Sequence, residues 1–298
     1  IGYWMYGNAF LTYALLSYES VTGKEHPAFS LSTFKEGLHF PFDFSPQDTG
    51  ISFGDNNRFK PAGILYALAE RTGEESIVPR LNEKLQNLGL VETGETSWMP
   101  GIFYLLCCNK SLEEVGEFKM KDNFFKVYPD NGWGLFKRGD KILSLRSGNS
   151  DVNHGTRNLN SIQLAKDGVL LLGNIGGSYI RGWFGPDRGM FFEDNTTSKN
   201  SMLVNGIGQN RYTDAVWDCN DKEMWSDAAP AYFKYAKKVA RKVSLTEEGI
   251  LLEDEFITDP VTWHEIRFLT RGNFIELAPG KWEVKRENTS IIMEISSQ

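Results

Sequence analysis

The feature that most constrains this chain is a change of hydrophobic period near Phe118. Before it, apolar residues recur at helical spacing. In IGYWMYGNAFLTYALLSYESVTG, Tyr3, Phe10, Ala14 and Tyr18 share one face, with Leu11 and Leu15 beside it, until Gly23 supplies a stop. Residues 30–40 continue in the same style, followed by FKPAGILYALAERTG, with Pro61 in its first turn and Gly73 at its end, then SIVPRLNEKLQNLGL and SWMPGIFYLLCC. Short helix pairs joined by aromatic, glycine-rich loops read as a layered helical array or an α/α toroid. No capping residue precedes the first helix, so the chain is expected to begin partway through a helical domain, with the rest of a toroid upstream.

After it, the period shortens to two. FFKVYPD, GLFKRGDKILSLRSG, LNSIQLAKDGVLLLGN, NSMLVNGIG, KKVARKVSLTEEGILLEDEFI, TWHEIRFLTRG, KWEVKRE and SIIMEISS are short alternating or apolar runs separated by Gly, Asn and Asp turn signals. They predict an antiparallel β-sandwich. The expected division is therefore a helical domain over residues 1–118 and an all-β domain over 119–298, with the cleft between them as the default active site. IGGSYIRGWFGPDRGMFFEDNTTSKN, lying between strands, is too long for a hairpin turn and is expected to be functional or partly disordered.

Charge excludes some partners. The net charge is −7 over 298 residues, with both signs interleaved. No basic stripe exists to track a phosphate backbone, so nucleic acid is not an expected partner. No apolar run reaches the roughly 18 residues of a membrane span. Aromatic residues make up 13%, including eight Trp, which suits a groove that stacks sugar faces and equally suits a large mixed core. Cys107 and Cys108 are adjacent and Cys219 stands apart, so no zinc-type spacing or disulfide framework exists, and the thiols are expected to be buried and inert.

Of the four histidines, His154 in NHGTRNLNSIQL has the setting that invites chemistry, between Asn153 and Arg157. From the residues alone it is a base, a metal ligand, or a loop histidine bonded to backbone. Arg157 is positioned in sequence to grip a carboxylate bidentately. His26, His39 and His264 have no comparable setting. Asp55 in FGDNN reads as a cap or turn residue rather than an acid catalyst, and GNIGG is too sparse for a dinucleotide fingerprint.

Five stretches occur together in one order: IGYWMYG, ISFGDNN, NHGTRNLNSIQLAKDGVLLLGNIGGSY, NTTSKNSMLVNGIGQ and RKVSLTEEGILLEDEF. In this order the chain resembles the heparinase II/III-like polysaccharide lyases over nearly its whole length, with the toroid represented only by its last part. The resemblance implies β-elimination on a uronic-acid polysaccharide. Such a reaction needs a group that neutralises the uronate carboxylate, a base for the weakly acidic C5 hydrogen, and an acid for the leaving O4. Carried over residue by residue, the tyrosine falls at Tyr3, with Tyr6 as second choice, and the histidine at His154. The carboxylate-binding asparagine would lie before Ile1. Trp4, Asn153, Arg157, Tyr179, Arg181 and Trp183 are the expected sugar contacts. An exported, periplasmic or secreted, location is also implied.

In relatives a second histidine, an aspartate and a later histidine hold a zinc ion; here the corresponding residues are Thr156, Asn174 and Lys199. Thr and Asn oxygens are poor zinc ligands and an ammonium coordinates no metal, so no zinc and no cofactor is expected. Lys199 would supply about the charge that zinc, two neutral His and one Asp leave behind. It is therefore expected either to donate to Thr156 and Asn174 and hold the His154 loop, or to point to solvent. Two rival functions remain: a carbohydrate-binding relative that has lost turnover, and a glycoside hydrolase on a similar toroid, which needs two carboxylates across the scissile bond.

Overall fold

The computed structural model describes residues 2–46, 50–54, 63–87, 121–176, 181–211, 213–259 and 262–296. The chain divides into two compact units, one formed by Ile1–Gly50 with Arg58–Met120 and the other by Ile51–Asn57 with Lys121–Gln298.

The first unit opens with helix α1, Gly2–Thr22, which ends where Gly23 turns left-handed at φ 68° and its N–H reaches the Glu19 carbonyl at 2.8 Å. Its buried face is Met5, Ala9, Thr12 and Leu15. That differs from the aromatic stripe of the sequence: Tyr3, Phe10 and Tyr18 are exposed. On the packed side the small Ala9 and Thr12 let neighbouring elements approach between Met5 and Leu15, and buried Thr12 is accommodated by bonding its hydroxyl back to the Asn8 carbonyl at 2.7 Å. Helices α2 (Ser32–Gly37), α3 (Phe40–Asp43), α4 (Ile64–Thr72) and α5 (Val78–Asn87) follow. Phe29, Leu38, Phe42, Leu65, Leu68, Ile77 and Leu81 complete a single core with the buried residues of α1. Gly73 closes α4 at φ 68°, as its position in the sequence predicts. The stretch SWMPGIFYLLCC, with Cys107 and Cys108, lies outside the described residues. A toroid is not visible: α2 and α3 have six and four residues, too short for the hairpins such a ring needs, and the described helices close no ring.

The second unit is antiparallel throughout its described sheets. Strands β1 (Asn123–Tyr128), β2 (Trp133–Arg138), β3 (Lys141–Arg146), β4 (Ile162–Lys166) and β5 (Val169–Leu172) form a five-stranded meander in chain order. A second sheet has the order β10-β9-β8-β7, from β7 (Val216–Cys219), β8 (Glu223–Asp227), β9 (Ala236–Leu245) and β10 (Ile250–Thr258). Strand β6 (Met202–Val204) pairs with β11 (His264–Ile266), and β12 (Asn273–Ala278), β13 (Lys281–Arg286) and β14 (Thr289–Glu294) form a third meander. The expected two-sheet sandwich is not shown: strands are shared among four sheets, because three-residue β6 and β11 pair only with each other and three short 3-10 turns, not strands, occupy much of residues 186–198. Cys219 is exposed on β7, against the expectation of a buried thiol.

A shared apolar core draws Phe136, Leu143, Leu145, Ile162, Leu164 and Leu171 from the first sheet, Met224 and Val243 from the second, and Val284 and Ile291 from the third. Each such side chain, fully buried, contributes roughly 1.5–3 kcal/mol. Beside it lies a buried ion pair: the Arg241 guanidinium grips Asp254 with two bonds of 2.7 Å and gives its remaining arm to the carbonyls of Asn160 and Asn200, at 2.9 and 3.0 Å. Those two asparagines lie two residues before β4 and β6 respectively, so Arg241 fixes the end of the loop that carries His154.

Candidate functional site

His154 lies on the loop between β3 and β4, half-buried, with its backbone in the left-handed region at φ 60°. A non-glycine residue there is strained by about 1–2 kcal/mol and persists only where its surroundings over-determine it. They do so at Gly155. Its N–H bonds the Val152 carbonyl at 2.9 Å, and a Cβ at this position would meet the carbonyls of Ser150 and Val152 at 2.9 Å, so only glycine closes the turn. Its carbonyl accepts from Arg188 Nη2 at 2.7 Å and Arg211 Nη2 at 3.3 Å. Upstream, Ser150 is tied to the Thr213 carbonyl through both its N–H and its hydroxyl at 2.9 Å. Downstream, Leu159 and Asn160 are bonded into Gln209, Ser201 and the Val239 carbonyl.

The two arginines that hold Gly155 converge on one carboxylate. Asp194, fully buried, faces Arg188 Nε at 2.9 Å, Arg211 Nη2 at 3.3 Å and Arg157 Nε at 3.8 Å. Among the described residues three guanidiniums thus face this one carboxylate beside the His154 loop. None of the three arginines was assigned to Asp194 at the sequence level, because the members stand up to 54 positions apart (211 − 157 = 54) and meet only in the fold. Of the Arg157 fork, Nη1 donates to Asn195 Oδ1 at 2.6 Å, and Nη2 sits where a Cβ on Gly189 would be 2.5 Å away.

Three 3-10 turns, Pro186–Met190, Phe192–Asp194 and Thr196–Ser198, lie in the segment that follows β5. Gly182, at φ 89°, begins a turn closed by the Gly185 N–H on the Gly182 carbonyl at 2.9 Å. Its two central residues point oppositely. Trp183 is 0% exposed, under the Arg188 guanidinium at 4.7 Å and against Phe191 at 5.7 Å. A side chain with no accessible surface stacks on no sugar, which corrects the expectation for Trp183. Phe184 is 64% exposed, with its ring centroid 5.2 Å from the His154 imidazole at an interplanar angle of 72°. It is the functional candidate that the sequence reading missed; the aromatic-rich GWFG stretch was the available signal, but which aromatic faces out depends on the turn. Asn153 and Arg181 are exposed, and Tyr179 lies outside the described residues, as does Asp55.

Lys199 is 1% exposed and does not point to solvent. Neither does it bond as expected. Its ammonium donates to the carbonyls of Ile175 at 2.6 Å and Glu193 at 2.7 Å. Thr156 Oγ1 is buried without a hydrogen-bond partner, and Asn174 Oδ1 already accepts from the Asn200 N–H at 2.8 Å and Ser161 Oγ at 2.9 Å. An orphan hydroxyl, a saturated amide oxygen and an ammonium do not fit a divalent metal ion. Among the described residues no group of three or more His, Cys, Asp or Glu is gathered that a metal could use.

The other histidines have structural settings. His26 Nδ1 caps a 3-10 turn by accepting from the Ala28 N–H at 3.1 Å, His39 lies 3.3 Å from Glu74, and His264 stacks on Phe256 at 4.3 Å. In the first unit, Tyr3 is 63% and Tyr6 44% exposed, their rings edge-on at 6.4 Å, whereas Trp4 packs partly buried against the core. Both tyrosines thus keep much of their surface open to solvent, Tyr6 also lying against Phe10 at 4.7 Å. No helix among the described residues is long and apolar enough to cross a membrane.

No family model matches the chain, and no curated protein matches it in sequence. Solved structures do. A heparinase III with methylated lysines superposes with a TM-score of 0.57 at 15% identity, covering 86% of this chain and 37% of its own. Another heparinase III gives 0.56 at 11% identity, covering 88% and 40%. The heparan sulfate lyase HepC from Pedobacter heparinus gives 0.53 at 11%, covering 85% and 37%. The chain thus spans about two fifths of the length of these structures, and its fold is that of the corresponding part of a heparinase III-type lyase.

Proposed function

We propose that this chain is part of a polysaccharide lyase that cleaves uronic-acid-containing polysaccharide by β-elimination. The observation that carries the reading is His154, half-buried, held in a strained left-handed turn and edged by the three arginines gathered on Asp194. Strain concentrates where it serves chemistry, and this loop is braced on both sides to keep it. A neutral imidazole removes the C5 hydrogen; nearby guanidinium charge favours the uronate carboxylate and the enolate-like charge that develops on it. Tyr3, with Tyr6 as second choice, is the proposed proton donor to the leaving O4. Asn153 and Arg181 are proposed sugar contacts, with Tyr179 proposed from the sequence and Trp4 by its helix position. Division into a helical part over 1–118 and an all-β part over 119–298, and an exported location, belong to the same proposal.

The loss of the metal ligand types at Thr156, Asn174 and Lys199 favours one rival, a sugar-binding relative without turnover. Incubation with a panel of uronate polysaccharides separates these readings. The lyase reading predicts oligosaccharides that absorb in the ultraviolet and are lighter by one water than hydrolysis products. Products of hydrolytic mass would make the protein a glycoside hydrolase, and binding without product would make it a binding module.

A further inference from the structure

We infer that Phe184 is the residue that seats a sugar ring against His154, and that the turn carrying it is built for this presentation. The inference rests on the lyase reading and adds to it a specificity-determining side chain. A phenylalanine that is 64% exposed forfeits most of the free energy its burial would give, which favours an alternative conformation unless the backbone prevents it. Here the backbone does prevent it. Gly182 at φ 89° and the Gly185-to-Gly182 bond fix a tight turn, and its other central residue, Trp183, is locked inside beneath Arg188 and against Phe191. With Trp183 anchored inward, Phe184 faces outward.

Arg188 then ties this turn to the His154 loop. The same guanidinium lies over Trp183 at 4.7 Å, bonds Asp194 at 2.9 Å and holds the Gly155 carbonyl at 2.7 Å. One side chain therefore sets the positions of Phe184 and His154 together, and their centroids stand 5.2 Å apart. Pyranose rings present a face of axial C–H groups that packs on an aromatic plane. A ring seated on Phe184 is thereby brought within reach of the His154 imidazole, the proximity that proton abstraction requires. The ligand class is a pyranose carrying a carboxylate: the aromatic face holds the ring and the arginine cluster favours the acid.

The test uses the chain with a tetrasaccharide of alternating uronic acid and hexosamine, measuring Kd by titration calorimetry and kcat and KM by ultraviolet absorbance. Phe184→Ala is expected to raise Kd and KM roughly tenfold, with kcat far less affected. Phe184→Tyr restores both, whereas Phe184→Leu, apolar but not planar, does not. Because the ring is exposed, the thermal midpoint stays at the wild-type value, which separates the effect from misfolding. An unchanged Kd in Phe184→Ala, or full rescue by leucine, overturns the inference, as does a wild-type chain that does not bind the tetrasaccharide. Binding without unsaturated product overturns the lyase reading alone, and the Phe184→Ala Kd still decides the role of the ring.

Discussion

His154 is a residue whose backbone works against stability. Replacing it with glycine relieves the left-handed strain, and the gain offsets the added freedom of the unfolded chain, so His154→Gly is predicted to unfold within about 1 kcal/mol of wild type. Chemical denaturation checks this, and a loss above about 3 kcal/mol would mean that the imidazole is a structural support. Asp194 behaves in the opposite way. Asp194→Ala leaves three guanidiniums without their buried carboxylate and is expected to cost about 3–5 kcal/mol. His154 was legible in sequence from its polar neighbours. The Asp194 cluster was not, since charges scattered from 157 to 211 show no pattern until the chain folds. Trp183 and Phe184 show the same limit at closer range: adjacent aromatics in a glycine-bounded turn, one wholly inside and one mostly outside.

At the scale of elements, Lys199 acts as a fastener for the long segment that follows β5. It joins the carbonyl of Ile175, just after β5, to that of Glu193 near the far end of the same segment. Lys199→Met keeps the stem and removes the ammonium that these two carbonyls share, and is expected to cost roughly 2–4 kcal/mol in thermal or denaturant unfolding. If it unfolded like wild type, the fastening role would be wrong. Strands such as β3, β4, β9 and β10 were legible because alternation with turn residues is a local signal. Strands β7, β8 and β12 were not singled out, since VWDC and EMWSD mix polar and aromatic residues without clear alternation. Helix α1 was read correctly as a helix with Gly23 as its end, yet its buried side was not its aromatic side, because tertiary packing selected Met5, Ala9, Thr12 and Leu15.

For the whole molecule, the shared fold with heparinase III-type structures and the altered metal positions lead to different expectations about chemistry. Asn174 and Lys199 serve the protein's own hydrogen bonding, Asn174 joining Ser161 and Asn200 and Lys199 joining the carbonyls of Ile175 and Glu193, while the Thr156 hydroxyl is buried without a partner. Activity is accordingly predicted to survive prolonged chelation unchanged; loss on chelation with recovery on added zinc would show a ligand set elsewhere. The central claim is that His154 is the base of an elimination rather than the remnant of one. Comparison of wild type and His154→Gly in turnover and in binding, on one uronate oligosaccharide, tests it most directly. The account predicts that formation of unsaturated product falls by about 10²–10⁴-fold while Kd stays close to wild type. Equal turnover in the two proteins, or equal absence of it, would contradict the claim.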